Sequence, residues 1–218
     1  MKSINTYINE ALRIKTGAKI ATGPQYKYHP ETKDELVAAI KEKMSENGVN
    51  ANLNDIDVSK IEDFDYLFSS DKKGFGLSKF NGDISNWNVS KAIYMNSMFF
   101  GSEFDGDLSK WNVSKVETMQ GMFADAAFTG KNGDISKWDV SNLENASYMF
   151  NYSKFSENVN NWKFNPQKLM NLEFMFANNN TMTKFDISHW TLSKFANLKD
   201  IFEHNPLKFN YKIYPQQS

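Results

Sequence analysis

Carboxylates recur at Asp83, Asp107, Asp134 and Asp186, each directly before an Ile or Leu. Stacked into a column, such groups would offer the hard oxygen ligands that attract calcium. The same residue type in a tight turn serves equally well as an acceptor for local backbone N–H groups, and repeated sequence builds such columns without any ion. The three histidines, His29, His189 and His204, are too few and too scattered in sequence to propose a metal centre. Serines are plentiful, but no G-x-S-x-G element accompanies them, so nucleophilic hydrolysis has no sequence support. Absence of cysteine removes disulfides, thiolate metal sites and thiol nucleophiles. The expectation is a chain that is not an enzyme and needs no cofactor or metal.

What remains for chemistry is recognition by polar side chains flanking a recurring aromatic. Before the aromatic, or Ile56 in a first degenerate copy, stand Asp55, Asn86, Lys110, Lys137, Asn161 and His189. After it stand Asp57, Asn88, Asn112, Asp139, Lys163 and Thr191. These twelve positions vary and carry both charge signs, which suits hydrogen bonding to a protein or glycan. They are the expected binding face.

The elements that must position them follow from internal repetition. Tryptophans fall at 87, 111, 138, 162 and 190, within DISNWNVS, DLSKWNVS, DISKWDVS, NVNNWKFN and DISHWTLS, and LNDIDVS at Leu53 to Ser59 is the degenerate first copy. A second signature closes each unit: Leu67-Phe68, Met98-Phe99, Met122-Phe123, Met149-Phe150, Met175-Phe176 and Ile201-Phe202. The spacing from aromatic to closing Phe is constant except in the fifth unit, which carries two extra residues near Asn165-Pro166. Another length change falls between Phe128 and Asp134, three residues longer than the matching stretch Phe104 to Asp107.

Each unit fits L-x-x-L-x-L, as in Ile84-x-x-Trp87-x-Val89, and this predicts a short strand at Trp-x-Val with alternate side chains inward. Ser59-Glu62, Ser114-Glu117 and Ser141-Glu144 resemble capping boxes, and Val116, Met119, Met122 and Phe123 recur at helical spacing, so a short helix is predicted after each strand. The Met and Phe ladders read as core. The expected fold class is an α/β repeat, a leucine-rich-repeat-like solenoid of six strand–helix rungs over residues 52–202. An N-terminal capping helix is expected within 23–51, where Thr32 and Glu35 form a capping box and Gly48 ends the pattern. Residues 203–218 form an expected C-terminal cap or tail.

The repeated sentence F-x-G-D-I/L-S-x-W-x-V-S-x-V-x-x-M-x-x-M-F resembles the BspA-like leucine-rich-repeat family over about residues 52 to 202. That resemblance implies a solenoid that binds protein or surface ligands without catalysis.

Residues 1–22 contain an amphipathic turn-and-a-half, Ile4, Ile8, Ala11 and Leu12, followed by Arg13 and Lys15. Its opening, MKSINTYINEA, resembles the capsid-targeting leader of internal head proteins in large tailed phages, with Ile8, Glu10 and Ala11 at the cleavage pattern. The bland alternative is a terminal helix packed on the cap. Lys plus Arg (25) nearly balances Asp plus Glu (26), which argues against nucleic acid as a partner. No apolar run resembles a signal peptide or a membrane span, so the expected location is cytoplasmic or virion-associated. The leading functional expectation is a protein-interaction module; a packaged or structural virion component is the alternative, and an enzyme comes third.

Overall fold

The computed structural model describes residues 25–182, 187 and 190–206. One α-helix, α1, spans Lys33–Asn47. It begins where the sequence places it: the Glu35 N–H donates to Thr32 Oγ1 at 3.3 Å, and the Thr32 N–H donates back to Glu35 Oε2 at 3.3 Å. Gly48 terminates it with a left-handed φ of 75°, its N–H donating to the Met44 carbonyl at 2.9 Å. Leu36, Val37, Ala39 and Ile40 form the buried face against the first copy of the repeat.

The expected strand–helix rungs are absent. Besides α1, the described residues hold one turn of 3-10 helix, Ile135–Lys137, and otherwise only isolated bridges, so the architecture is not a six-rung α/β solenoid of strands and helices. Turn formation overrides the strand. The Trp111 N–H donates to the Leu108 carbonyl at 3.1 Å and the Val116 N–H to Val113 at 2.9 Å, so tight turns flank the Trp-x-Val segment on both sides. Between them Asn112 Oδ1 accepts the Ser114 N–H at 3.1 Å, as Asp57, Asn88 and Asp139 do for Ser59, Ser90 and Ser141. Short side chains of this kind compete for backbone groups and favour turns over extended pairing.

The helix fails for a different reason. After Ser114, the Glu117 N–H donates back to Ile93 in the preceding copy, whereas Met119 and Gly121 donate forward to Asn145 and Ser147 in the next. Bonds between copies therefore replace the i→i−4 bonds a helix would require. Gly121 then takes a left-handed φ of 60°, and its counterparts Tyr66, Ser97, Tyr148, Phe174 and Asp200 do the same. A right-handed helix cannot pass through such a residue.

Neighbouring copies lie parallel, joined by bridges at Asp63, Tyr94, Thr118, Asn145, Asn171 and Asn197 in succession. Every second N–H of the closing segment donates to the following copy: Ala146, Tyr148, Phe150 and Tyr152 bond to Asn171, Glu173, Met175 and Ala177. This registration aligns the side chains. Phe68, Phe99, Phe123, Phe150, Phe176 and Phe202 form one stacked column with ring centroids 5.4–5.6 Å apart. The four central copies bury Met98, Met122, Met149 and Met175 completely beside it. Each such side chain is worth about 1.5–3 kcal/mol when withdrawn from water.

Four of the indoles bond backward along the stack. Nε1–H of Trp87, Trp111, Trp138 and Trp162 donates to Leu53, Ile84, Leu108 and Ile135 of the preceding copy at 2.9–3.1 Å. Tryptophan thus fills the interior and satisfies its one donor there. The two extra residues of the fifth copy are absorbed in a wider turn, where the Leu169 N–H reaches the Asn165 carbonyl at 3.0 Å.

Candidate functional site

Although no strand forms among the described residues, the alternation around Trp87, Trp111, Trp138 and Trp162 survives. Asn86, Asn88, Lys110, Asn112, Lys137, Asp139, Asn161 and Lys163 are exposed, while the aromatic between each pair is buried. Asp55, Asp57 and Thr191 are partly covered, and His189 lies outside the described residues. Two of the predicted positions are engaged by the N-terminal segment: Lys43 of α1 pairs with Asp55 at 2.9 Å, and His29 Nδ1 lies 3.6 Å from Asp57. Partial burial works to raise the Asp57 carboxyl, but hydrogen bonds from Ser59 and the nearby His29 hold it below its usual range. The first-copy end of the face is therefore occupied by the chain itself.

Between the fourth and fifth copies the face opens into a groove of about 660 Å³, lined by Ser136, Lys137, Asp139, Asn161 and Lys163 and by the edges of Trp138 and Trp162. The two indoles stack at 6.3 Å with planes 9° apart. Their N–H groups are committed inside, so the floor is hydrocarbon edge. A second depression of about 410 Å³ shares Ser136 and Asn161 and continues to Gly130, Lys131, Asp134, Glu157 and Asn158. The longer loop between Phe128 and Asp134 forms that end. A Cβ at Gly130 would stand 2.6 Å from the Phe155 ring, and φ there is 78°, so the loop seats against the core only because this residue is glycine.

Electrostatics along the groove are mixed. Asp134 accepts from the Ser136 hydroxyl and N–H, which with Lys137 at 3.7 Å hold its carboxyl below the usual value against slight desolvation. The recurring carboxylates act locally: Asp83, Asp107 and Asp134 each accept the N–H two residues ahead at 2.8–2.9 Å. Asp186 lies outside the described residues. Among the described residues no three His, Cys, Asp or Glu side chains gather as metal ligands, and no helix is long and apolar enough to cross a membrane. Residues 1–22, including the leader pattern at Glu10 and Ala11, lie outside the described residues, as does the tail from 207 onward.

The sequence reading passed over one set of residues. Tyr148, Tyr152 and Phe174 hold left-handed φ values of 53–59°, and Tyr148 and Tyr152 are exposed. Their signal was present in the sequence as aromatics at Tyr148 and Phe174, where the second, third and sixth copies carry Ser97, Gly121 and Asp200 and the first carries another aromatic, Tyr66.

Residues 38–162 and 127–216 both match the family described as "Mycoplasma protein of unknown function, DUF285". The chain belongs to that family. The matches begin at residue 38, within α1, and run over the repeat, overlapping across the fourth copy, as expected where one pattern recurs along a chain. No curated protein and no solved structure matches the chain. DUF285 membership thus brings no activity with it, and the site must be read from its own geometry.

Proposed function

We propose that this chain is a non-enzymatic interaction module that holds a protein partner in the groove between the fourth and fifth copies. The observation that carries this reading is the coincidence of the groove with the variable polar face: Lys137 and Asp139 of one copy stand beside Asn161 and Lys163 of the next. Hydrocarbon indole edges at the centre and charges of both signs at the rim match the usual anatomy of a protein interface, an apolar centre ringed by polar groups. Rim charges of this kind choose the partner and speed its approach. Beside the face, burial works to raise the Asp83 carboxyl but hydrogen bonds from Ser85 hold it below its usual range, and hydrogen bonds from Ser136 lower that of Asp134, which suits fixed surface charge better than proton transfer.

The test compares wild type with the triple charge reversal Lys110→Glu, Lys137→Glu, Lys163→Glu, together with a photo-crosslinking residue at Asn161. A partner that crosslinks at position 161 and is lost from the triple variant supports the reading. Identical partners from both proteins would remove this face as the binding surface.

A further inference from the structure

Across copies three to five the polar face and its border carry five exposed lysines, Lys110, Lys115, Lys137, Lys163 and Lys168. Only Lys137 forms an ion pair among the described residues, with Asp134 at 3.7 Å. Lys110 and Lys168 reach neutral amide oxygens instead, Asn86 Oδ1 at 3.2 Å and Asn142 Oδ1 at 2.6 Å. The carboxylates among them are engaged in turns: Asp107, Asp134 and Asp139 each accept, through Oδ1, the N–H two residues ahead at 2.8–3.0 Å. Glu117 and Glu144 lie beyond the turns that close at Val116 and Leu143. Like charges in successive copies repel one another, and within the chain little offsets them.

The first copy shows the converse. Its two face residues, Asp55 and Asp57, are met by Lys43 at 2.9 Å and by His29 at 3.6 Å from the segment before it. The chain thus covers the acidic end of its own face and leaves the basic centre open.

What fits that centre must present anions at the repeat of the copies and lie flat on indole edges. Side chains on one side of an extended peptide recur every ~6.7 Å, two residues at a time. Neighbouring indoles stand 6.3 Å apart, so an extended segment along the stack offers one such side chain per copy. Its backbone also has partners. The second carboxylate oxygen of Asp139 and the Asn161 amide, both lining the groove, make no hydrogen bond among the described residues, and they suit backbone N–H and carbonyl groups. A polyanion without backbone N–H groups would instead set its charge against Asp139.

Resting on the reading that the groove holds a protein, we infer that the segment it holds is extended and acidic, with Asp or Glu at positions i, i+2 and i+4 pairing with Lys110, Lys137 and Lys163. Lys115 and Lys168 add to the field that draws it in.

NMR chemical-shift titration of the full chain with three end-blocked heptapeptides and with polyphosphate tests this. Ser-Glu-Ser-Glu-Ser-Glu-Ser should bind saturably, its isomer Ser-Ser-Glu-Glu-Glu-Ser-Ser about threefold more weakly or worse, and Ser-Lys-Ser-Lys-Ser-Lys-Ser not at all. Each of Lys110→Glu, Lys137→Glu and Lys163→Glu should weaken the first peptide about threefold or more, and the triple variant about tenfold or more. Lys154→Glu, exposed and outside the groove lining, should bind as wild type. No binding of the alternating peptide, equal binding of its isomer, or indifference to the three reversals in proteins that melt as wild type would overturn the inference. Tighter binding of polyphosphate with the same lysine dependence would overturn it in favour of a polyanion. A groove that crosslinks a protein at position 161 yet ignores the peptide removes this inference alone, whereas one that crosslinks nothing removes the reading beneath it.

Discussion

A tryptophan in the middle of the stack performs two functions that a smaller residue cannot share between them. Trp111 is 3% exposed, stacks on Trp87 at 6.3 Å and donates its Nε1–H to the Ile84 carbonyl at 3.1 Å. Replacing it by Ala removes the ring from between two other copies and leaves the Ile84 carbonyl without this donor. Trp111→Ala should therefore cost about 3–5 kcal/mol, the range for deleting a large buried aromatic. Its neighbour Asn112 faces water and contributes one local bond to the Ser114 N–H. Asn112→Ala should lower stability by about 0.5–1.5 kcal/mol, the ordinary net value of such a bond. Denaturant titration of both variants measures the contrast, and equal losses would contradict the placement of these side chains.

At the scale of elements, α1 and the repeat show where sequence patterns can and cannot be read. The capping box at Thr32 and Glu35 was legible because its meaning is local: each side chain bonds a backbone group three residues away, and the structure contains both bonds. Thr32→Ala should therefore lower the melting temperature by an amount equivalent to about 1 kcal/mol, and restoration by Thr32→Ser would tie the loss to the cap. The same Ser-x-x-Glu pattern misleads at Ser114 and Glu117. There the Glu117 N–H bonds to Ile93 in another copy, a partner that no local rule can anticipate. The apolar spacing misleads as well. Successive i→i+3 turns, such as Met122 to Met119 and Ala126 to Phe123, bring residues three and four apart to one side as a helix does. Which residues are buried was thus readable, while the backbone conformation that buries them was not. The candidate site divides similarly. Exposure of Lys137, Asp139, Asn161 and Lys163 followed from alternation around a buried tryptophan, but the second depression that continues the groove depends on how the longer loop at Gly130 seats on Phe155.

For the whole molecule, the controlling fact is that hydrogen bonds, ring stacks and bridges of each copy reach the adjacent copies and stop there. The hydrophobic core is nevertheless one continuous cluster from Leu36 to Phe202, because every copy joins the next. Stability in such a chain is a sum over copies and their mutual contacts, so a whole unit can be removed if its two neighbours fit each other. Residues 83–106 form such a unit, since deletion joins Gly82 to Asp107 and regenerates the F-N-G-D-L-S sequence. Phe68 would then stack on Phe123, and the Trp111 indole would meet the Leu53 carbonyl that Trp87 now uses. A deletion of residues 83–94 removes half as much chain but brings the Phe column of one copy against the Trp column of the next. The longer deletion should retain cooperative thermal unfolding at a reduced midpoint, and the shorter should abolish it. Circular dichroism melts of the two proteins decide the matter; if the longer deletion also unfolds without cooperativity, the copies do not support one another in the way the stacked rings and backward indole bonds require.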